Sequence, residues 1–175
     1  MADPAWLFAA HHQGLFKYFC RAVGRAEAAR DLTQEVFLRV SRTQIPPMVN
    51  GDATAWLFRI ARNLAVDYHR SRSRRPEHVG PVEEVMQSAS QDVDVAVNQA
   101  LASLPALDRD VFLMREVVGL GYQEIAVACD LTPDGVRSRI HRTRLQLREQ
   151  LAAPISTSRT TAMSRSGKTT TRIEP

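Results

Sequence analysis

The stretch Tyr122-Gln-Glu-Ile-Ala-Val-Ala-Cys129, Asp130-Leu131, Thr132-Pro133-Asp134-Gly-Val136-Arg-Ser-Arg-Ile-His-Arg142-Thr-Arg-Leu-Gln-Leu-Arg148 decides the fold. Its first eight residues make a short helix with Ile125 and Ala126 facing inward. Thr132 at a cap position, Pro133 at the first helical position and Asp134 in the first turn are three separate start signals for a second helix. In that helix Val136, Ile140, Thr143, Leu147 and Leu151 fall on one face, which has to pack. The rest of the arc carries Arg137, Ser138, His141, Arg142 and Arg148, with Arg139 and Arg144 on its flanks. Gly135 to Arg148 holds five arginines, no lysine and no acid. A helix-turn-helix with this outer face is suited to a DNA major groove, where phosphates reward positive charge and base edges reward Arg and Ser donors. An exposed helix that needed only solubility would mix both signs.

Outward from this motif, apolar spacings of three and four recur and no stretch alternates at strand length, so the fold class is all-α. A first helix is predicted from about Pro4 to Val23, burying Leu7, Leu15, Phe16 and Phe19. A second, about Ala26 to Arg42, buries Ala29, Leu32, Val36, Phe37 and Val40. After a Pro46-Pro47 break, a third runs from about Asp52 to Arg74 with Trp56, Leu57, Ile60, Ala61, Leu64 and Tyr68 on one face. Pro, Gly, Ser, Gln and acid then take over, which reads as a flexible acidic linker over 76–95. Shorter helices follow at about Val95 to Ser103, Leu107 to Val117, Tyr122 to Cys129 and Pro133 to Leu151. The chain thus divides into two small helical domains, 1–75 and 96–152, and a disordered basic tail, 153–175.

Charge follows the same division. Residues 1–75 carry 12 Lys/Arg against 6 Asp/Glu, and residues 76–107 carry none against 5. Of the 23 basic residues only Lys17 and Lys168 are lysine. On the third helix Arg59, Asn63, Val66 and Arg70, spaced by four, three and four, form a stripe beside the apolar arc, with Arg62 and His69 close by. Such a surface points to a polyanion.

Several segments together resemble bacterial RNA polymerase sigma factors of the extracytoplasmic-function (ECF) group: Asp31-Leu-Thr-Gln-Glu-Val-Phe-Leu-Arg-Val40, Ala55-Trp-Leu-Phe-Arg-Ile-Ala-Arg-Asn-Leu-Ala-Val-Asp-Tyr68, Leu104-Pro105 with Arg109 and Val111, Gly121-Tyr-Gln-Glu-Ile-Ala126, and Val136-Arg-Ser-Arg-Ile-His-Arg142. The resemblance covers roughly residues 5 to 152. It implies a region 2 helical bundle over 1–75 and a region 4 helix-turn-helix over 96–152. It further implies that Asp31, Gln34 and Glu35 meet the clamp helices of the polymerase β′ subunit. Arg59, Arg62, Asn63 and Arg70, aided by the loop from about Gln44 to Asp52, would melt and read the minus-ten element. Arg137, Ser138, Arg139, His141, Arg142 and Arg144 would read the minus-thirty-five element. Core RNA polymerase (β′ clamp helices and β flap), promoter DNA and an anti-sigma factor are the implied partners.

Two departures stand out. Gly121 occupies a position where family members often carry a capping Ser or Thr, and Ser41 one where many carry an aromatic residue. The alternative function is a stand-alone helix-turn-helix regulator whose first domain serves dimerisation or ligand sensing.

No catalytic constellation is visible. The five histidines and two cysteines do not fall at metal-ligand spacing, and there is no Gly-rich phosphate loop. The expectation is no enzyme, no cofactor and no metal. No apolar run approaches the roughly 18 residues of a membrane span and the N-terminus lacks an export signal, so no membrane insertion, a cytoplasmic address and reduced thiols are expected.

Overall fold

The computed structural model describes residues 4–43, 52–74 and 91–152. The loop expected to hold an unstacked base, most of the proposed linker and the basic tail lie outside the described residues. Among the described residues there are seven α-helices and no strand: α1 (Pro4–Val23), α2 (Ala26–Arg42), α3 (Asp52–Arg74), α4 (Gln91–Ser103), α5 (Ala106–Leu113), α6 (Tyr122–Cys129) and α7 (Pro133–Ala152), with a π-helical turn, Met114–Val118, continuing α5.

The first half is a three-helix unit. Gly24 adopts φ +70°, a conformation that costs glycine little, and turns α1 back into α2. α3 lies across both. Leu7, Leu15, Phe19, Val36, Val40, Leu57 and Ala61 are essentially water-free, as their spacing predicts. Each fully buried large side chain contributes about 1.5–3 kcal/mol. Tyr18 and Phe58 are fully buried as well, ring edge to face at 6.1 Å, and were not among the predicted core residues.

The second half is built on α7, which packs against α4, α5 and α6. Val136, Ile140, Thr143 and Leu147 face inward, but Leu151 is 47% exposed. Thr132 Oγ1 accepts the Gly135 N–H at 3.1 Å, which is the expected cap. Asp130 ends α6 in the left-handed region at φ +55°. α4 begins at Gln91, inside the stretch read as linker. Asp94, an acid of that stretch, lies near the positive end of the α4 dipole, where acid is favoured. The single helix predicted from Leu107 to Val117 is α5 plus the π turn, closed by Gly119 at φ +86°, with Leu120 N–H donating to the Met114 carbonyl at 3.0 Å.

The two halves are not separate bodies. α6 lies along α3, and the π turn and α5 lie against α1. Gly14, in the interior of α1, marks a close approach: a β-carbon there would stand 3.3 Å from Val118 Cγ1. Gly119→Ala, which places a β-carbon in a left-handed conformation, is expected to cost about 1 kcal/mol in chemical denaturation. An unchanged midpoint would show that the π turn does not need this residue.

Candidate nucleic-acid and polymerase interfaces

Asp31, Gln34 and Glu35 lie on the outer face of α2, with Asp31 and Gln34 exposed. The Glu35 carboxylate accepts from Arg39 Nε at 2.9 Å, an i,i+4 pair that holds it in place. Leu38, one turn further on the same face, is 47% exposed. Sequence reasoning passed over it because an apolar residue in an amphipathic helix is ordinarily assigned to the core. Among the described residues α2 packs on α1 and α3, on the side away from this face.

The α3 stripe divides. Asn63 and Arg70 are exposed. Arg59 and Arg62 are engaged by the second half. Arg59 Nη2 donates to the Val127 carbonyl and pairs with Asp130 Oδ1 at 3.0 Å. Arg62 Nε lies 3.5 Å from Asp110 Oδ2, close enough for an ion pair but too long for a good hydrogen bond.

Asp110 is the centre of this seam. It is 2% exposed and accepts from the Tyr18 hydroxyl at 3.1 Å. Burial pushes its carboxyl up to about 6, while the Tyr18 hydrogen bond and the guanidinium groups of Arg109 and Arg62 pull it back. Burial, reinforced by Asp110, also drives the Tyr18 hydroxyl well above its ordinary range. Nearby, His69 Nε2 stands 3.0 Å from the Ala22 carbonyl and 3.3 Å from Arg109 Nη2. It can donate to the first or accept from the second, not both. Burial and then Arg109 lower its pKa, favouring the neutral ring. At the rim, Arg21 donates to Asn98 at 2.8 Å and Asp94 at 2.9 Å. The Nε–H groups of Arg59, Arg62 and Arg109 are buried without a hydrogen-bond acceptor. An unmet buried donor costs about 1–3 kcal/mol, so the seam is weaker than its contacts suggest.

On α7, Ser138, His141 and Arg142 are exposed, and among the described residues none makes a side-chain hydrogen bond or ion pair. The other predicted groove residues are tethered. Arg137 pairs with Asp134 at 2.7 Å and lies over the Tyr122 ring. Arg139 pairs with Asp108 at 2.5 Å and is half-buried. Arg144 pairs with Glu116 at 2.6 Å. Behind them, Gly121 N–H donates to Glu124 Oε2 at 2.7 Å. This is half of a capping box, since glycine cannot return the bond.

Among the described residues, no three metal-ligating side chains converge and no helix is long and apolar enough to cross a membrane. Cys20 and Cys129 are free; burial pushes the Cys129 thiol up to about 11, far from a reactive thiolate.

Comparison with known proteins defines first the class. Residues 7–75 match the Sigma-70 region 2 family and residues 94–147 match Sigma-70 region 4. The chain is 33% identical to the ECF RNA polymerase sigma factor SigL of Mycobacterium tuberculosis, over 77% of this chain and 81% of SigL. It is 34% identical to the ECF RNA polymerase sigma factor SigE of Mycolicibacterium smegmatis, over 86% of this chain and 63% of SigE. The chain belongs to the ECF family of RNA polymerase sigma factors. It spans less than two thirds of the length of several of these curated relatives, with 63% of SigE, 66% of a Mycobacterium bovis sigma-C factor and 57% of a Mycobacterium tuberculosis SigI factor. Among solved structures it is similar to CnrH in complex with the cytosolic domain of CnrY, with TM-score 0.64 and 25% identity over 85% of this chain and 86% of CnrH. The fold is also that of the sigma factor RpoE from Bartonella quintana, solved with the anti-sigma factor NepR, with TM-score 0.62 and 23% identity over 84% of this chain and 94% of RpoE.

A carboxyl raised above its ordinary value destabilises the fold as pH climbs through the window between the ordinary 3.8 and about 6. Asp110→Asn keeps the acceptor for Tyr18 and removes the charge. It is therefore expected to be more stable than the parent at pH 7.5, by at most about 3 kcal/mol, with the gap closing at acid pH. Thermal unfolding across pH reads this. A variant less stable than the parent at neutral pH would mean that the carboxylate charge is a net stabiliser.

Proposed function

We propose that this chain is a promoter-specificity subunit: it binds core RNA polymerase, opens DNA at the minus-ten element and positions the complex at the minus-thirty-five element. The observation that carries the reading is the second helix of the helix-turn-helix, which presents Ser138, His141 and Arg142 unbonded to solvent above the buried Val136, Ile140, Thr143 and Leu147. The region 4 match, residues 94–147, includes most of this helix. In this reading the functional domains are 1–75 and 96–152, joined through 76–95, and 153–175 is a tail.

Asp31, Gln34, Glu35 and, in addition, Leu38 dock on the β′ clamp helices, and the second domain reaches the β flap. Asn63 and Arg70, joined by Arg59 and Arg62 once these are released, receive the unpaired strand. Arg142, His141 and Ser138 read base edges, while Arg137, Arg139 and Arg144 serve position and phosphate contact. Phosphate contacts give affinity that falls with salt, and base contacts give discrimination. The chemistry of RNA synthesis belongs to the polymerase, and this chain works in the cytoplasm without catalysing a reaction. An anti-sigma factor is the expected inhibitor; that CnrH was solved holding a domain of another protein supports a protein partner of this kind.

Run-off transcription with core RNA polymerase on genomic fragments tests the whole reading. Absence of any chain-dependent start site would refute it. Arg142→Ala is expected to lose about 1–3 kcal/mol of discrimination at the cognate promoter while core polymerase still co-elutes with the variant. Unchanged promoter preference would remove Arg142 from the reading face. Gln34→Ala combined with Leu38→Ala is expected to weaken polymerase association several-fold and leave helicity intact. Full association after both truncations would move the docking surface off α2.

A further inference from the structure

We propose that Leu145 reads the C5-methyl group of a thymine in the minus-thirty-five element, adding one apolar contact to the hydrogen-bonding face of α7. The inference rests on the promoter-specificity reading and deepens it by naming a base and the atom that is read.

Leu145 is 42% exposed and stands outside the buried apolar cluster that runs through both halves. The other leucines of α7 have a place to go. Leu147 and Leu151 line an apolar groove completed by Val97, Leu101 and Phe112, and Leu145 does not line it.

The helical period puts Leu145 on the outer arc instead. It lies three residues past Arg142, four past His141 and seven past Ser138, so the four side chains share one face. At about 100° per residue, its direction falls between those of His141 and Ser138, inside the arc and not at its edge. Among the described residues it is the one large apolar side chain on that arc. The run from Gly135 to Arg148 holds no acid, and Leu145 falls within it.

Placement along the axis agrees. Ser138 to Leu145 covers about 10.5 Å at about 1.5 Å per residue, or roughly three base-pair steps of about 3.4 Å. A side chain so placed meets base edges next to those that Ser138, His141 and Arg142 reach. It can neither donate nor accept a hydrogen bond, so the feature it can sense is apolar. In the major groove thymine alone of the four bases offers a methyl group. Burying one such carbon against Leu145 corresponds to about fourfold in affinity. Arginine, serine and histidine recognise donors and acceptors, and this contact gives the face a means of telling thymine from cytosine.

The test uses core RNA polymerase reconstituted with the full-length parent or with Leu145→Ala, on a promoter recovered by the run-off experiment above. In each probe one thymine of the minus-thirty-five element, on either strand, is replaced by deoxyuridine, which removes only the methyl group. Binding is measured by competition with the unmodified duplex. The parent is expected to lose about fourfold at one thymine. Leu145→Ala is expected to bind the unmodified promoter about fourfold more weakly and to be indifferent to the same replacement. Leu145→Met, which keeps an apolar end on the arc, is expected to retain the penalty. Alanine is a strong helix former, and circular dichroism checks that α7 is kept. Should Leu145→Ala lose helicity, Leu145→Gln carries the same readouts. A parent indifferent to every replacement overturns the proposal. So does a Leu145→Ala holoenzyme that keeps every penalty of the parent, since another side chain then reads the methyl. Absence of any chain-dependent start site would defeat the promoter-specificity reading and this contact with it, whereas a start site without a deoxyuridine effect removes the methyl contact alone.

Discussion

The arrangement of the molecule depends on how a single carboxylate, Asp110, is kept from water. A buried charge is tolerated only where partners replace its hydration. Here the replacement comes from three directions: the Tyr18 hydroxyl on α1, the Arg62 guanidinium on α3, and the neighbouring Arg109. Two of those elements belong to the first half and the third to the helix that carries Asp110. The register in which the halves meet is therefore set by the geometry of one side chain, with Gly14 clearing the space for Val118 beside it.

The polarity of this seam contrasts with the interiors it joins. Within the first half, Leu, Phe and Val side chains interlock, and within the second, Val111, Leu113, Ile125, Val136 and Ile140 do the same. These buried residues belong to one continuous apolar cluster that runs through both halves. Between them lie a carboxylate pushed up to about 6, a histidine that cannot satisfy two neighbours at once, and arginine donors with no acceptor. Interfaces between domains of one chain are commonly more polar than cores and come apart more readily. In this protein the meeting surface combines those polar groups with the apolar packing that continues from one half into the other.

Much of this was legible in the sequence. Helix periodicity located α1, α2 and α3 to the residue, because each carries a complete apolar stripe and a clear terminus. Thr132 and Pro133 fixed the start of α7 for the same reason. The start of α4 was misplaced because its acidic first turn has the composition of a linker. The π turn was invisible because the apolar spacing of an α-helix extends into it unchanged. The docking of the halves was beyond reach for a different reason. Periodicity shows which face of a helix is buried but not against what, and Arg59 and Arg62 have the same spacing whether they meet DNA or Asp130 and Asp110. Gly14 was the one available signal, a glycine inside a strong helical pattern that demands a close neighbour.

The recognition helix shows how partners refine a list of candidates drawn from composition. Seven basic or hydrogen-bonding side chains line its outer arc, and on sequence grounds all are equivalent. In the fold they are not. Arg139 is tied to Asp108 on α5, and Arg144 to Glu116 in the π turn. Moving either to a base edge would mean breaking a pair that braces α7 against its support. Arg137 is held between Asp134 and the Tyr122 ring, where a guanidinium can still turn one edge toward a phosphate. Ser138, His141 and Arg142 have no such obligations. Hydrogen-bonded discrimination in the major groove should therefore rest on three adjacent positions of one helical turn, with the tethered arginines fixing the depth and angle at which that turn is offered.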